Sequence, residues 1–361
     1  MKIGIDISQI VYGTGVSVYT KNLVENLLKI DKQSLAGSAG KENEYVLFAG
    51  TFRRRKDILD VFPQAKVFPI PPTLADIIWN RLHLLPIEKL IGQVDVFHSS
   101  DWTQPPTKAF KVTTVHDLIP LKFPKLTHPK IYWTHKRRLA WVKKEADRVI
   151  VPSLTTKQDL VLYGVSEKRI RVIAEAPQHS KVCQEETEQV KKKYKIFSDY
   201  LLSVGISPTK NTANIIKAFH LAKADKNLKL VLVGRPVGME VKEERDVRIL
   251  GQVEDRELSA LYSGASALIF PSLYEGFGIP ILDAFNCRTP VVTSNLGSLA
   301  EVAGEAAVLV DPYEVESIVG GIKTALNQPK TLIAKGLSRV KQFSWTKAAE
   351  ETLKVYKEFS G

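Results

Sequence analysis

Short runs of β-branched residues alternate with helix-period segments along this whole chain, and after residue 194 the alternation begins again. KIGIDI (2–7), EYVLFA (44–49), KVFPI (66–70), DVFHS (95–99), VTTVHD (112–117) and RVIVPS (148–153) read as strands. Helical periodicity falls between them at 18–30, 75–91, 130–146 and 154–163. A polar stretch, EAPQHSKVCQEETEQVKKKY (175–194), then breaks the rhythm with a proline and no strand signal. DYLLSVG (199–205), LKLVLVG (228–234), VRILGQV (247–253), ASALIFPS (265–272), PVVTS (290–294) and AAVLVDP (306–312) resume it, with helices at 212–224, 255–263, 280–286 and 314–326. Strands joined through helices form parallel sheets with crossover connections. The expectation is an α/β chain of two doubly wound domains, 1–174 and 197–344, with residues 175–196 as a linker and lead-in helix. Ligands of such sheets bind at the carboxyl ends of the strands, so the active site is expected in a cleft between the two sheets.

Composition supports two cores: 361 residues, 44% apolar and 25% charged, exceed what one ordinary core organises. Cys183 and Cys287 stand in unrelated contexts, without a CxxC or a His/Cys cluster, which fits a reducing compartment. The N-terminus opens directly on a strand pattern and lacks the form of a secretory leader. No apolar run approaches the roughly 20 residues of a membrane span. A cytoplasmic protein is expected. The net charge of +12 is partly clustered, at Arg53, Arg54, Arg55 and Lys56 and at Lys136, Arg137, Arg138, Lys143 and Lys144. This excess steers anionic partners. Nucleic acid is not expected among them, because no recognition helix, RNP-like segment or zinc site is present.

Two turns contain glycines that suit close approach to a ligand. In YGTGVSVYTKNL (12–23), Gly13 and Gly15 lie where a first strand hands over to a helix, whose N-terminus favours phosphate. The spacing is not the full dinucleotide fingerprint, and a plain turn needing positive φ is the competing reading. In FPSLYEGFGIPILDAF (270–285), Glu275, Gly276, Phe277, Gly278 and Ile279 follow a buried strand, and Pro280 suits the start of the helix that carries Asp283. A glutamate repels phosphate, so Glu275 makes sense against neutral hydroxyls. A carboxylate can accept from two adjacent hydroxyls, as a ribose diol offers to Asp283. The pattern suggests a nucleotide-diphospho-sugar, its phosphates on amide N–H groups. As competing readings, Glu275 favours a helix start electrostatically, Asp283 and Lys210 are solvated, and His116 is a satisfied strand-end histidine. His98 is expected to be structural.

At PSLYEGFGIPILDAFNCRTPVVTSNLGSLAEVAGEAAVLVDP the chain strongly resembles the retaining glycosyltransferases of family 4, whose GT-B fold pairs two Rossmann-like domains. The resemblance covers nearly all of 199–345. It extends more loosely to GTGVSVYTKNL, DVFHSSDW, TTVHDLIPLKFP and ADRVIVPS, and FSWTKAAEETLKVYKEF (343–359) is similar to the terminal helix that crosses back onto the first, acceptor-binding domain. By resemblance, Glu275 contacts the transferred sugar and the turn at Phe277–Ile279 the diphosphate. Asp283 takes the place of a second glutamate on the ribose, one methylene shorter. Lys210, in VGISPTKN, matches the lysine on the leaving diphosphate, and His116 a histidine near sugar and acceptor. Gly15 matches an N-domain glycine near the phosphates. An arginine common in the family is missing at Ile206 and Thr209, and Arg235, in VLVGRPVG, is a candidate to replace it.

The resemblance implies a retaining hexosyltransferase that uses a nucleotide sugar. No cofactor is expected, and no metal, since no DxD-like site closes a strand. HDLIPLKFP is similar to mannose transferases of polysaccharide assembly, which puts GDP-mannose first and UDP-sugars next. The acceptor is expected to be a glycan or a lipid-linked glycan. A nucleotide-sugar epimerase of GT-B shape and a non-catalytic nucleotide-sugar-binding protein are the alternatives. A glycan phosphorylase would need a pyridoxal phosphate lysine and a much longer chain. The segment KIYWTHKRRLAWVKKEADRV mixes Trp133 and Trp141 with cations. It reads either as a crossover helix with a solvated basic face or as a peripheral contact with an anionic membrane on its inner face.

Overall fold

A computed structural model describes residues 1–35, 43–223 and 227–360. The chain forms two compact units, one from Met1–Glu175 plus the segment from Trp345 onward, the other from Ala176–Ser344.

The first unit carries a seven-stranded sheet made of β1 (Lys2–Asp6), β2 (Glu44–Gly50), β3 (Lys66–Phe68), β4 (Val96–Ser99), β5 (Phe110–Thr114), β6 (Arg148–Val151) and β7 (Ile170–Val172), in the order β3-β2-β1-β4-β5-β6-β7. Every pairing is parallel. The second unit carries β8 (Asp199–Ile206), β9 (Leu228–Pro236), β10 (Val247–Ile249), β11 (Ala267–Phe270), β12 (Val291–Ser294) and β13 (Val308–Val310), in the order β10-β9-β8-β11-β12-β13, again all parallel. Sheets covered on both faces need strands that are apolar on both sides. Leu201, Leu202, Leu230, Leu232, Leu268 and Ile269 are accordingly fully buried. In each sheet the chain winds outward from the first strand in both directions. The switch point lies between β1 and β4 in one unit and between β8 and β11 in the other, and that is where open parallel sheets bind ligands.

Two departures from the sequence reading have clear causes. The helix expected over 75–91 is broken. Pro72–Ala75 is α-helical and Asp76–Arg81 π-helical, and after a turn only Glu88–Ile91 is helical again. His83 and Leu85 take φ of 51° and 58°, which no continuous helix allows. The turn is fixed from inside by the Trp79 indole N–H, which donates to the Leu85 carbonyl at 3.0 Å. Strand β7 escaped notice because it is three residues long, with an arginine in the middle. The helices Arg55–Val61, Gly297–Ala303 and Pro329–Val340 were also not anticipated.

The C-terminal helix Trp345–Lys357 packs on the helix Gly15–Leu35 of the first unit. Trp345 meets Tyr19 edge-on, and the Tyr356 hydroxyl lies 2.6 Å from His98 Nδ1. His98 is buried, its Nε2 lies 2.9 Å from the Thr114 hydroxyl, and burial with the nearby His116 and Arg138 charges pushes its pKa down to about 3. His98 is thus a neutral packing residue.

Candidate active site

The switch point of the second sheet gathers the acid and the lysine singled out above. Strand β8 ends at Ile206, and the turn Ser207–Asn211 then brings Lys210 back over the strand end. The Ser207 hydroxyl accepts from the Lys210 N–H at 3.2 Å, and the Lys210 stem lies on Gly205, where φ is +87°. Strand β11 ends at Phe270, and the loop after it carries Glu275. The two side chains meet at 2.6 Å, Lys210 Nζ to Glu275 Oε1, with Lys210 also 4.9 Å from the Phe270 ring. Ser298 donates to the Glu275 carbonyl at 2.7 Å and fixes the loop.

Gly276, Phe277, Gly278 and Ile279 follow directly and lead into the helix Ile279–Asn286. Gly278 has φ of 123°, and a Cβ there would stand 2.9 Å from the Leu299 side chain, so both conformation and space demand glycine. The first amides of that helix have no carbonyl inside it to bond.

Asp283 sits further along the same helix and is buried. Its Oδ1 accepts from the N–H groups of Gln178 at 2.7 Å and His179 at 2.9 Å, in the segment that begins this unit. Burial pushes its pKa up to about 7, against the pull of those two N–H groups. No described residue bonds to Oδ2. Arg235 is exposed at the end of β9, the strand beside β8, where Pro236 pairs with Ile206. It makes no ion pair among the described residues.

In the first unit His116 follows β5. Its Nδ1 lies 2.9 Å from Glu175, and its ring stands edge-on to Tyr19 at 4.6 Å. Burial opposes the imidazolium, but the Glu175 carboxylate, helped by Asp101 and Asp117, outweighs it and raises the pKa. Gly15 opens the helix Gly15–Leu35, and a Cβ there would meet nothing within 4 Å, so the space above it is open to a ligand.

The switch point of this first sheet holds a cavity of about 380 Å³ whose lining includes Asp6, Tyr12, Trp79, Asp101, Trp102 and His135. Sequence reading passed over all six. Asp6 ends β1 and Asp101 follows β4, so the signal was available: both acids stand at carboxyl ends of strands. They become neighbours only through the strand order. Arg138, read above as one of a surface cluster, is fully buried instead. It bonds Asp101 at 3.1 Å, the Thr113 hydroxyl at 2.7 Å and the Ser100 and Thr114 carbonyls at 3.1 and 2.9 Å. Desolvation of this size requires such partners.

Two family models match the chain in turn: Glycosyltransferase Family 4 over residues 13–175 and Glycosyl transferases group 1 over residues 184–336. O-antigen chain mannosyltransferase B of Escherichia coli is 30% identical over 282 residues, 73% of this chain and 74% of that protein. O-antigen chain mannosyltransferase RfbU of Salmonella typhimurium is 30% identical over 231 residues, which are 61% of this chain and 62% of that protein. Among solved structures, sucrose-phosphate synthase of Thermosynechococcus elongatus superposes with a TM-score of 0.74 at 20% identity, covering 99% of this chain and 98% of that one. HepE of Anabaena, solved with UDP and glucose, gives 0.72 at 15% identity over 99% of this chain and 100% of that one. Two parallel sheets, their order and these likenesses establish the GT-B fold. The chain belongs to the family 4 glycosyltransferases.

Proposed function

We propose that this glycosyltransferase moves a hexose, mannose in the first instance, from a nucleoside-diphosphate sugar to a hydroxyl of a growing glycan, with retention at the anomeric carbon. The observation that carries the reading is the Lys210–Glu275 pair at the second switch point, next to a helix start. A cation and a carboxylate there suit the two ends of one donor. Lys210 and the first-turn amides face the diphosphate, and Glu275 accepts hydroxyls of the hexose. Arg235 supplies further positive charge, and Asp283 reaches the ribose through Oδ2. In the first unit, Gly15 leaves open space at a helix start, and His116, its Nδ1 on Glu175, has Nε2 available to a hydroxyl.

The chemistry follows from charge. The bond from the anomeric carbon to the phosphate oxygen breaks, and its electron pair stays on the diphosphate. Lys210 stabilises that charge, a role worth roughly 3–4 kcal/mol for a preorganised donor. The acceptor oxygen attacks from the same face, and its proton passes to the departing diphosphate. No metal is assigned to the step. The acceptor end is placed in the cavity of the first unit. Trp102 and Tyr12 offer faces to the C–H side of a pyranose, and Asp6 and Asp101 are acceptors for its hydroxyls. The cavity's size falls within the roughly 300–1,000 Å³ of small-molecule sites. The two O-antigen mannosyltransferases named above support mannose and a glycan acceptor.

The test is incubation with GDP-mannose, UDP-glucose and UDP-galactose, each with a mannose-terminated oligosaccharide, and assignment of the new linkage by NMR. An α-linked mannose from GDP-mannose is expected. Inverted product, or transfer from none of the donors while each still binds, would overturn the proposal.

A further inference from the structure

The turn that carries Lys210 is pinned by the next residue along. Asn211 is buried, and its side-chain amide donates to two carbonyls outside that turn, those of Pro271 at 3.1 Å and Pro312 at 2.6 Å. Pro271 directly follows β11, and Pro312 lies just past the end of β13. On the other side of Lys210, the Thr209 carbonyl accepts from the Leu273 N–H at 2.9 Å. The lysine is thus bracketed by two ties to the loop after β11, the loop that goes on to Glu275.

Few side chains can do this. The backbone of Asn211 has φ of 63°, in the left-handed region that glycine and asparagine enter most readily. Its carbonyl accepts from the Ile215 N–H at 3.1 Å and so opens the helix Thr212–Lys223. Asparagine at a helix start usually turns its side chain back onto the helix amides. Here the amide nitrogen donates outward instead, to loops after two strands that β12 separates. An amide NH2 has two hydrogens to give, and both have a partner. Aspartate has the same shape and no N–H, glutamine is a methylene longer, and serine offers a single donor. Glycine accepts the backbone angle but makes neither tie.

Buried hydrogen bonds of this kind add stability wherever they occur. These two are set apart by what lies beside them. The stem of Lys210 is long and flexible, and its ammonium has to stand in one place to meet a departing diphosphate. Displacement of a reacting group by about 1 Å can cost about 100-fold in rate. We infer that Asn211 is a positioning residue. Its two N–H bonds hold the backbone of Lys210 against the loops after β11 and β13, and so set where the ammonium stands relative to Glu275. The inference rests on the role proposed for Lys210, through which Asn211 acts. It stands whichever sugar is transferred.

A double-mutant cycle tests it, run with whichever of GDP-mannose, UDP-glucose and UDP-galactose is turned over. Asn211→Gly keeps the backbone angle and removes both ties. It should lower kcat by about tenfold to a hundredfold, short of the full loss of a preorganised donor, and leave the KM for the donor sugar within about twofold. In a Lys210→Ala background the same change should cost less than about twofold, because no lysine is left to place. A residue that only stabilises the turn would lower Tm and cost the same in both backgrounds. Each variant is assayed well below its melting range, read by circular dichroism. Asn211→Asp, with the same shape and no N–H, carries a second cycle and should behave as the Gly variant does. Wild-type kcat in Asn211→Gly, an equal loss with and without Lys210, or a rise in KM alone would overturn the inference. So would failure of both variants to fold, which would make Asn211 a scaffold residue. Full transfer by Lys210→Ala would overturn it by a different route, since the role proposed for Lys210 would fall first.

Discussion

The ammonium of Lys210 and the carboxylate of Glu275, 65 residues apart in the chain, meet at 2.6 Å across the ends of β8 and β11. One N–H of Lys210 is spent on Glu275 Oε1, and the proposal is that a bound donor separates the pair. Lys210→Ala should lower kcat/KM by 100- to 1,000-fold, the scale set by loss of one preorganised transition-state donor. Glu275→Gln should lower transfer comparably but act differently on binding. A neutral amide no longer holds the ammonium, and a partly exposed pair of this kind is worth about 0.2–1 kcal/mol. Affinity for free GDP or UDP should therefore rise, by up to about fivefold, as turnover falls. Calorimetry on the Gln variant decides it: nucleotide affinity falling in step with turnover would show that the pair does not open on binding.

Asp283 predicts a stability that depends on pH. Its folded pKa of about 7 lies well above the roughly 3.9 of an unfolded aspartate. The native state therefore holds a proton that the unfolded chain releases. The resulting contribution is complete below about pH 4 and is lost as pH rises towards 7. Asn cannot ionise and still offers its oxygen to the Gln178 and His179 N–H groups. Asp283→Asn should thus gain stability relative to wild type between pH 5 and pH 8, read from urea midpoints at both. Parallel curves for the two proteins would show that the buried carboxyl is ionised throughout.

How far the sequence was legible depends on how local each signal is. The α/β class could be read because strand and helix periods differ and repeat many times. Glu275 and Lys210 stood out because each follows a recognisable strand within a few residues. Their contact did not, since it depends on β8 lying beside β11. That Asp6 and Asp101 share one cavity was invisible for the same reason: each stands at the carboxyl end of a strand, but nothing local announces that β1 and β4 are neighbours. Arg138 was misread because its run of cations looks like a solvated face, whereas the helix turns it toward Asp101 and the end of β5. The Asp283 partners, Gln178 and His179, lie 105 and 104 residues away in a segment without regular structure. The break after Arg81 was concealed because IIWNRLHLLP keeps a helical apolar pattern, and only the Trp79–Leu85 bond reveals the turn.

Gly205 links backbone conformation to the proposed chemistry. A Cβ at this position would lie 3.1 Å from Lys210 Cε and 3.2 Å from Cγ, at a φ of +87°. Gly205→Ala should cost about 1–2 kcal/mol from conformation alone, a few degrees in Tm for a unit of this size. Turnover should drop tenfold or more, because the added methyl pushes the lysine stem off its seat. A variant that loses Tm yet keeps wild-type kcat/KM below its melting range would show that the position of Lys210 is not set by this contact.

The cavity of the first unit makes a separate prediction through Trp102, whose indole N–H donates to the Pro72 carbonyl at 3.2 Å and whose ring is part of the wall. If the acceptor sugar stacks there, Trp102→Ala removes an aromatic anchor, typically worth about 2 kcal/mol or roughly thirtyfold in affinity. That loss should appear in the KM for the acceptor, with the KM for the donor unchanged, because Lys210 and Glu275 belong to the other unit. A change in kcat alone would mean the ring acts in the transition state and not in holding the acceptor. Donor hydrolysis without acceptor supplies the control: it should persist in the Ala variant at the wild-type rate. A parallel fall in hydrolysis would place Trp102 with the donor and remove the acceptor from this cavity.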